Sequence, residues 1–130
     1  MIEAEAGAAV PTIFEIQGEA GFRRLEAELL PQALEGLAVV ALGGGAPIQP
    51  ANWRMIQDRA VTVWIDTPLD AIWARLQGQG GRPLVAGLSG GEVGRLLEAR
   101  RPRYSEAQHR VDGSAPPERV AEEVHRLWIA

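Results

Sequence analysis

Apolar residues along the chain fall into two kinds of run. Phe22, Leu25, Leu29 and Leu30 recur at helical spacing, which predicts an amphipathic helix over residues 18–35 with Gly36 as its stop. Residues 37–42 (LAVVAL) are apolar without a break and stop at a glycine triplet, as a strand buried on both faces would. Residues 61–66 (VTVWID) are rich in β-branched and aromatic side chains and predict a second strand. Shorter helices are expected over 2–9, 50–58, 68–76 and 91–101, and a last one over 117–128. Pro68 suits the first turn of its helix, where no N–H is needed. Residues 109–112 (HRVD) predict a short edge strand. Residues 77–91 hold six glycines and read as a mobile stretch rather than an element.

Helices alternating with strands make an α/β protein. A parallel sheet needs helices on both faces, so a three-layer parallel sheet is expected. Three strands beside about six helical segments are too few for that architecture. The pattern therefore predicts a sheet that is incomplete at its N-terminal side.

Composition narrows the chemistry. All 13 basic residues are Arg, so lysine Schiff bases, lysine bases and a phosphate-loop lysine are excluded from this chain. With no Cys there is no thiolate nucleophile and no Cys-ligated zinc. Two His, His109 and His125, are too few for a His-rich metal site, and no metal ligand is assigned. A net charge of −4 speaks against nucleic acid as a partner. No apolar run reaches the roughly 18 residues of a membrane span. The acidic start is unlike a secretory signal, so a cytoplasmic protein with no membrane partner is expected.

Four strings carry candidate chemistry. In Gly18–Glu26 (GEAGFRRLE), Arg23 and Glu26 lie one helical turn apart. They read either as a surface ion pair or as a guanidinium aimed by its carboxylate partner at a ligand anion. Gly43-Gly44-Gly45 follows an apolar run, where open α/β sheets bind ligands; it reads as a tight turn or as backbone open to a small substrate. Arg82-Pro83-Leu84 sits in the glycine-rich stretch, where an arginine can close over phosphates. Arg100-Arg101-Pro102-Arg103-Tyr104 ends a helix, as a solvated basic terminus would.

In this order and spacing the strings resemble the shikimate kinase family. IEAEAGAAVPTIFEIQGEAGFRRLE, LGGG, VTVWIDTP, RPL and RRPRY are similar to five successive family motifs and cover nearly the whole chain. The resemblance implies a single domain over 1–130 of the P-loop nucleoside-monophosphate-kinase-like type, with a lid over 77–91. It implies ATP- and Mg²⁺-dependent phosphorylation of the shikimate 3-hydroxyl, a step toward chorismate and the aromatic amino acids. It further implies that Arg23, held by Glu26, binds the shikimate carboxylate and that Arg100 makes a second contact to it. Gly43, Gly44 and Gly45 would meet the ring hydroxyls, and Val10, Phe14 and Phe22 would line the apolar side. Arg75 and Arg82 would face the nucleotide.

The chain departs from the family pattern at its start. The family's GxxxxGK[ST] loop and the Asp that serves as its base have no counterpart here, and that Asp would fall before Met1. No catalytic residue is therefore assigned in this chain, and turnover by the chain alone is expected to be negligible. Three readings follow: the C-terminal part of a shikimate kinase, a shikimate-binding protein without turnover, or an interaction module whose sheet partners complete. Unpaired strand edges would also favour self-association. Arg103 replaces a usual Leu, Pro47 replaces a usual β-branched residue, and Ala115 falls near a position that some members fill with Arg.

Overall fold

The computed structural model describes residues 1–77 and 88–129. They divide into two compact units, one formed by residues up to Ala60 and one from Val61 onward.

The first unit opens with α1 (Ile2–Ala6) and α2 (Val10–Ala33). Gly7 closes α1 in the left-handed region at φ 68°, a conformation that costs glycine nothing. Ala9 precedes α2 and has no side chain to cap it. The Glu3 carboxylate does so instead, accepting from the Val10 N–H at 2.9 Å. A kink at Gly18 (φ 70°, ψ −179°) divides α2, so the predicted helix start at 18 is the start of its second half. That backbone region is open essentially to glycine alone. A Cβ at Gly18 would meet nothing within 4 Å, so the constraint is conformational and not steric. Gly18→Ala should therefore cost about 1–3 kcal/mol; denaturant unfolding measures it, and an unchanged midpoint would contradict the kink.

The second half of α2 packs Leu30 against Trp53 and Ile56 of α3 (Pro50–Arg59), with Leu34 and Met55 around them. This is the hydrophobic core of the unit. Between the helices, Ala46–Ile48 form one 3₁₀ turn. Pro47 is buried near the start of that turn, where its missing N–H is no loss.

The apolar run 37–42 does not form the strand that its composition predicts. It is unpaired among the described residues, and Leu37 and Val39 are 93% and 76% exposed. A strand exists only as part of a ladder, so β-propensity without a hydrogen-bonding neighbour leaves extended chain.

The second unit holds a parallel pair, β1 (Val63–Asp66) and β2 (His109–Asp112). The predicted edge strand is thus real and parallel. Thr62 and Gln108 clamp its entry with two reciprocal bonds between side chain and backbone, at 2.9 and 3.1 Å. The register pairs Trp64 with Arg110 and Asp66 with Asp112. Three helices accompany the pair: α4 (Leu69–Leu76), α5 (Gly90–Tyr104) and α6 (Pro117–Ile129). Val93 of α5 and Val111 of β2 are buried. α5 begins on a capping box, Ser89 with Glu92, and runs past its predicted end at 101 through Pro102 to Tyr104. Residues 78–87, most of the expected lid and including Arg82, lie outside the described residues.

Candidate functional site

The expected acceptor-site residues of the first unit come together around the second half of α2. Arg23 and Glu26 project from one face, a helical turn apart. The Arg23 Nη1 donates to Glu26 Oε2 at 2.6 Å. The Glu26 side chain is 5% exposed and that of Arg23 15%, so this is no solvated surface pair. A buried carboxylate needs its partner, and the partner is held in turn. The guanidinium lies 5.4 Å from the centre of the Phe22 ring, which supports it from one side. Glu19 approaches at 3.6 Å but is 58% exposed, so solvent screens it and an incoming carboxylate can displace it.

Phe22 also meets Phe14, with ring centres 4.8 Å apart and planes tilted by 42°. These rings sit on opposite sides of the Gly18 kink. Val10 lies one turn before Phe14 and is half-buried. The kink thus lets an apolar wall from the first half of α2 stand beside the charged pair on the second.

The glycine turn closes on the same pair. A Cβ added at Gly45 would land on the Arg23 guanidinium, and one at Gly43 would lie 3.1 Å from Glu26 Oε1. The turn itself is fixed. Ala46 N–H donates to Gly43 O, and Ile48 N–H to Gly45 O, both at 3.1 Å. The buried Asn52 side chain of α3 donates to Ala46 O at 3.1 Å. Asn52 escaped sequence reading, since nothing distinguishes an anchoring Asn from a surface one before its neighbours are known. The arrangement offers a guanidinium fork held from one side, exposed backbone at Gly43 and Gly44, and aromatic surface nearby. That is a fit for a small hydroxylated acid.

The remaining expected residues belong to the second unit. Arg100 is half-buried on α5. Arg75 of α4 donates through Nη2 to Gly113 O at 3.1 Å, a bond that ties α4 to the turn after β2. In that turn the Ser114 hydroxyl and N–H donate to Asp112 at 2.6 and 2.9 Å. These bonds, the hydroxyl first, hold the Asp112 carboxyl below its ordinary value, with the nearby Arg110 charge a smaller contribution.

The unit also has a cavity of about 680 Å³ between β1 and α5, lined among others by Trp64, Asp66, Leu69, Arg101 and Tyr104. Arg101 and Tyr104 come from the basic end of α5, whereas neither Arg75 nor Arg100 lines the cavity. Among the described residues no group of three or more His, Asp or Glu side chains gathers into a metal site. Among the described residues no helix is long and apolar enough to cross a membrane.

Known proteins share this arrangement of sequence. The family model for shikimate kinase matches residues 1–128. A shikimate kinase of Synechococcus sp. (strain RCC307) is 43% identical over 114 residues, which are 85% of this chain and 58% of that protein. A shikimate kinase of Aromatoleum aromaticum is 42% identical over 115 residues, 86% of this chain and 66% of that protein. The chain thus spans less than two thirds of the length of these curated relatives. Among solved structures, shikimate kinase from Acinetobacter baumannii in complex with shikimate superposes with a TM-score of 0.90 at 32% identity, over 98% of this chain and 74% of that one. Shikimate kinase from Bacteroides thetaiotaomicron gives a TM-score of 0.81 at 30% identity, over 97% and 76% of the two chains. The likeness runs from α1 to the last turns of α6 and carries the P-loop kinase fold with it: the chain belongs to the shikimate kinase family.

Proposed function

We propose that this chain carries the acceptor-binding part of a shikimate kinase, with Arg23 as the group that binds the shikimate carboxylate. One observation carries the reading: the Arg23 guanidinium is held by a buried Glu26 at 2.6 Å and overlaid by glycine backbone. A fork fixed in this way meets a carboxylate without first losing rotamer freedom. Gly43, Gly44 and Gly45 offer backbone groups to the ring hydroxyls, and Val10, Phe14 and Phe22 face the ring. The family motif assigns Arg100 as the second guanidinium and Arg75 and Arg82 to the nucleotide.

The whole enzyme then transfers phosphate from ATP, with Mg²⁺, to the shikimate 3-hydroxyl in the cytoplasm. Chemistry of this kind rests on positioning and charge neutralisation more than on covalent work by the protein. A binding protein without turnover is favoured by no observation over this reading. Titration calorimetry of the full chain with shikimate tests it. Saturable one-to-one binding is expected, and no heat at millimolar shikimate would overturn the assignment.

The exposed apolar run 37–42 supports one further proposal, self-association through unpaired backbone. Light scattering should show mass rising with concentration. A constant monomer mass across a hundredfold dilution series would refute it.

A further inference from the structure

Close to its C-terminal end α5 carries two adjacent arginines, Arg100 and Arg101, and their surroundings differ. Successive helical residues point about 100° apart, so a residue that fixes one direction fixes its neighbour's as well. The contacts fall on Arg101. Its Nη2 lies 3.8 Å from Asp66 Oδ1, and its guanidinium 5.2 Å from the centre of the Trp64 ring. Tyr104, one turn on, also faces Trp64, with ring centres 6.4 Å apart.

The receiving surface is built to hold that arginine. Trp64 and Asp66 are alternate residues of β1 and share a face of the strand. Arg110, the register partner of Trp64 on β2, donates through Nε to Asp66 Oδ2 at 2.8 Å, with its Nη2 2.6 Å away. Its guanidinium lies 5.8 Å from the same indole. Two cations therefore share one indole and one carboxylate, and the Asp66 side chain is only 11% exposed. Asp66 offsets the repulsion between the two guanidinium groups, and Glu98, 3.6 Å from the Arg101 Nε, adds a second carboxylate on the helix itself. Each contact is modest, but together they fix the rotation of the α5 end about its own axis.

We infer that Arg101 is a positioning residue: docked on Trp64 and Asp66, it sets the direction in which Arg100 is presented to the substrate. This rests on the reading of Arg100 given above. Arg101 was legible in the sequence only as part of a basic helix end. Its role becomes visible once the register places Arg110 beside Trp64.

The test is shikimate calorimetry on the full chain and four variants. Arg101→Met, which keeps the stem and deletes the fork, should weaken binding about tenfold, as small misplacements of a binding group do. Arg101→Lys, which keeps the charge, should recover part of that loss. Val93→Ala loosens the buried side of the same helix without touching the cluster. It should lower the melting temperature and leave affinity within about twofold, since unfolding and presentation are separate effects. Arg100→Ala should remove most binding. Arg101→Met binding like the wild type while Arg100→Ala loses binding would overturn the inference, as would Val93→Ala weakening affinity as much as Arg101→Met. If the wild type does not bind shikimate, or Arg100→Ala binds unchanged, the reading of Arg100 fails instead. The positioning claim is then read from the rate of phenylglyoxal modification at Arg100, mapped by mass spectrometry. A rate changed severalfold in Arg101→Met supports it, and an unchanged rate refutes it.

Discussion

Arg23→Lys is expected to weaken shikimate binding by roughly 10- to 100-fold while the chain stays folded. The range corresponds to the loss of hydrogen bonds to a charged group, about 1.5–3 kcal/mol. Lysine keeps a positive charge beside Glu26 but replaces a planar fork with a point charge. The more obvious variant, Arg23→Ala, is less informative. From the sequence it reads as a substitution that removes binding and spares the fold. The structure argues otherwise, because the Glu26 side chain is 5% exposed and Arg23 is its close partner. Removing that partner strands a buried carboxylate, a change that costs about 3–5 kcal/mol in comparable pairs. Arg23→Ala should therefore lower the melting temperature as well as abolish binding. Calorimetry and thermal unfolding of both variants separate the two effects. Lysine that binds like arginine would remove Arg23 from the site.

The second large effect is expected at Gly45. A Cβ there falls on the Arg23 guanidinium. The end of an arginine is normally free to swing away, but here Glu26 pins it at 2.6 Å. Gly45→Ala must then either break the ion pair or shift the turn anchored by Asn52. Either outcome moves the fork from its position, so shikimate affinity should fall at least about tenfold. Stability should fall by no more than about 1–3 kcal/mol, the range for overpacking a site with some freedom to relax. Gly43→Ala makes a graded comparison. Its Cβ would approach Glu26 Oε1 at 3.1 Å, which a small adjustment relieves, so its effect should be smaller. Equal affinity for Gly45→Ala and the wild type would mean that the turn does not press on the site.

The local patterns of the candidate site were more legible in the sequence than the sheet was. Arg23, Glu26 and the glycine triplet are legible because each belongs to a short local pattern, a helical turn or a glycine run. Those patterns survive in the structure at their expected places. The run 37–42 misled for the opposite reason. Its composition describes a buried strand, but pairing is a property of two segments and cannot be read from one. The edge strand 109–112 was a weak signal, yet the Thr62–Gln108 clamp and the β1 ladder make it regular.

Helix ends show the same division. Ser89 and Glu92 have the spacing of a capping box, a signal present in the sequence that would have moved the start of α5 to Gly90. The kink at Gly18 could not be placed, because glycine inside a helical pattern marks either a tolerated residue or a break. The cluster of Trp64, Asp66, Arg101 and Arg110 joins three segments and depends on strand register. Its four residues look unrelated until β1 and β2 are aligned.

The central claim is that a held guanidinium at Arg23 recognises the acid group of shikimate. Parallel calorimetric titrations of the full chain with shikimate and with its methyl ester test this most directly. The ester keeps the ring and the three hydroxyls and replaces the negative charge with a neutral group one methyl larger. Binding of shikimate with at least about tenfold loss for the ester is predicted, from the value of a charge-assisted bond over a neutral one. Equal affinity for acid and ester would contradict the account.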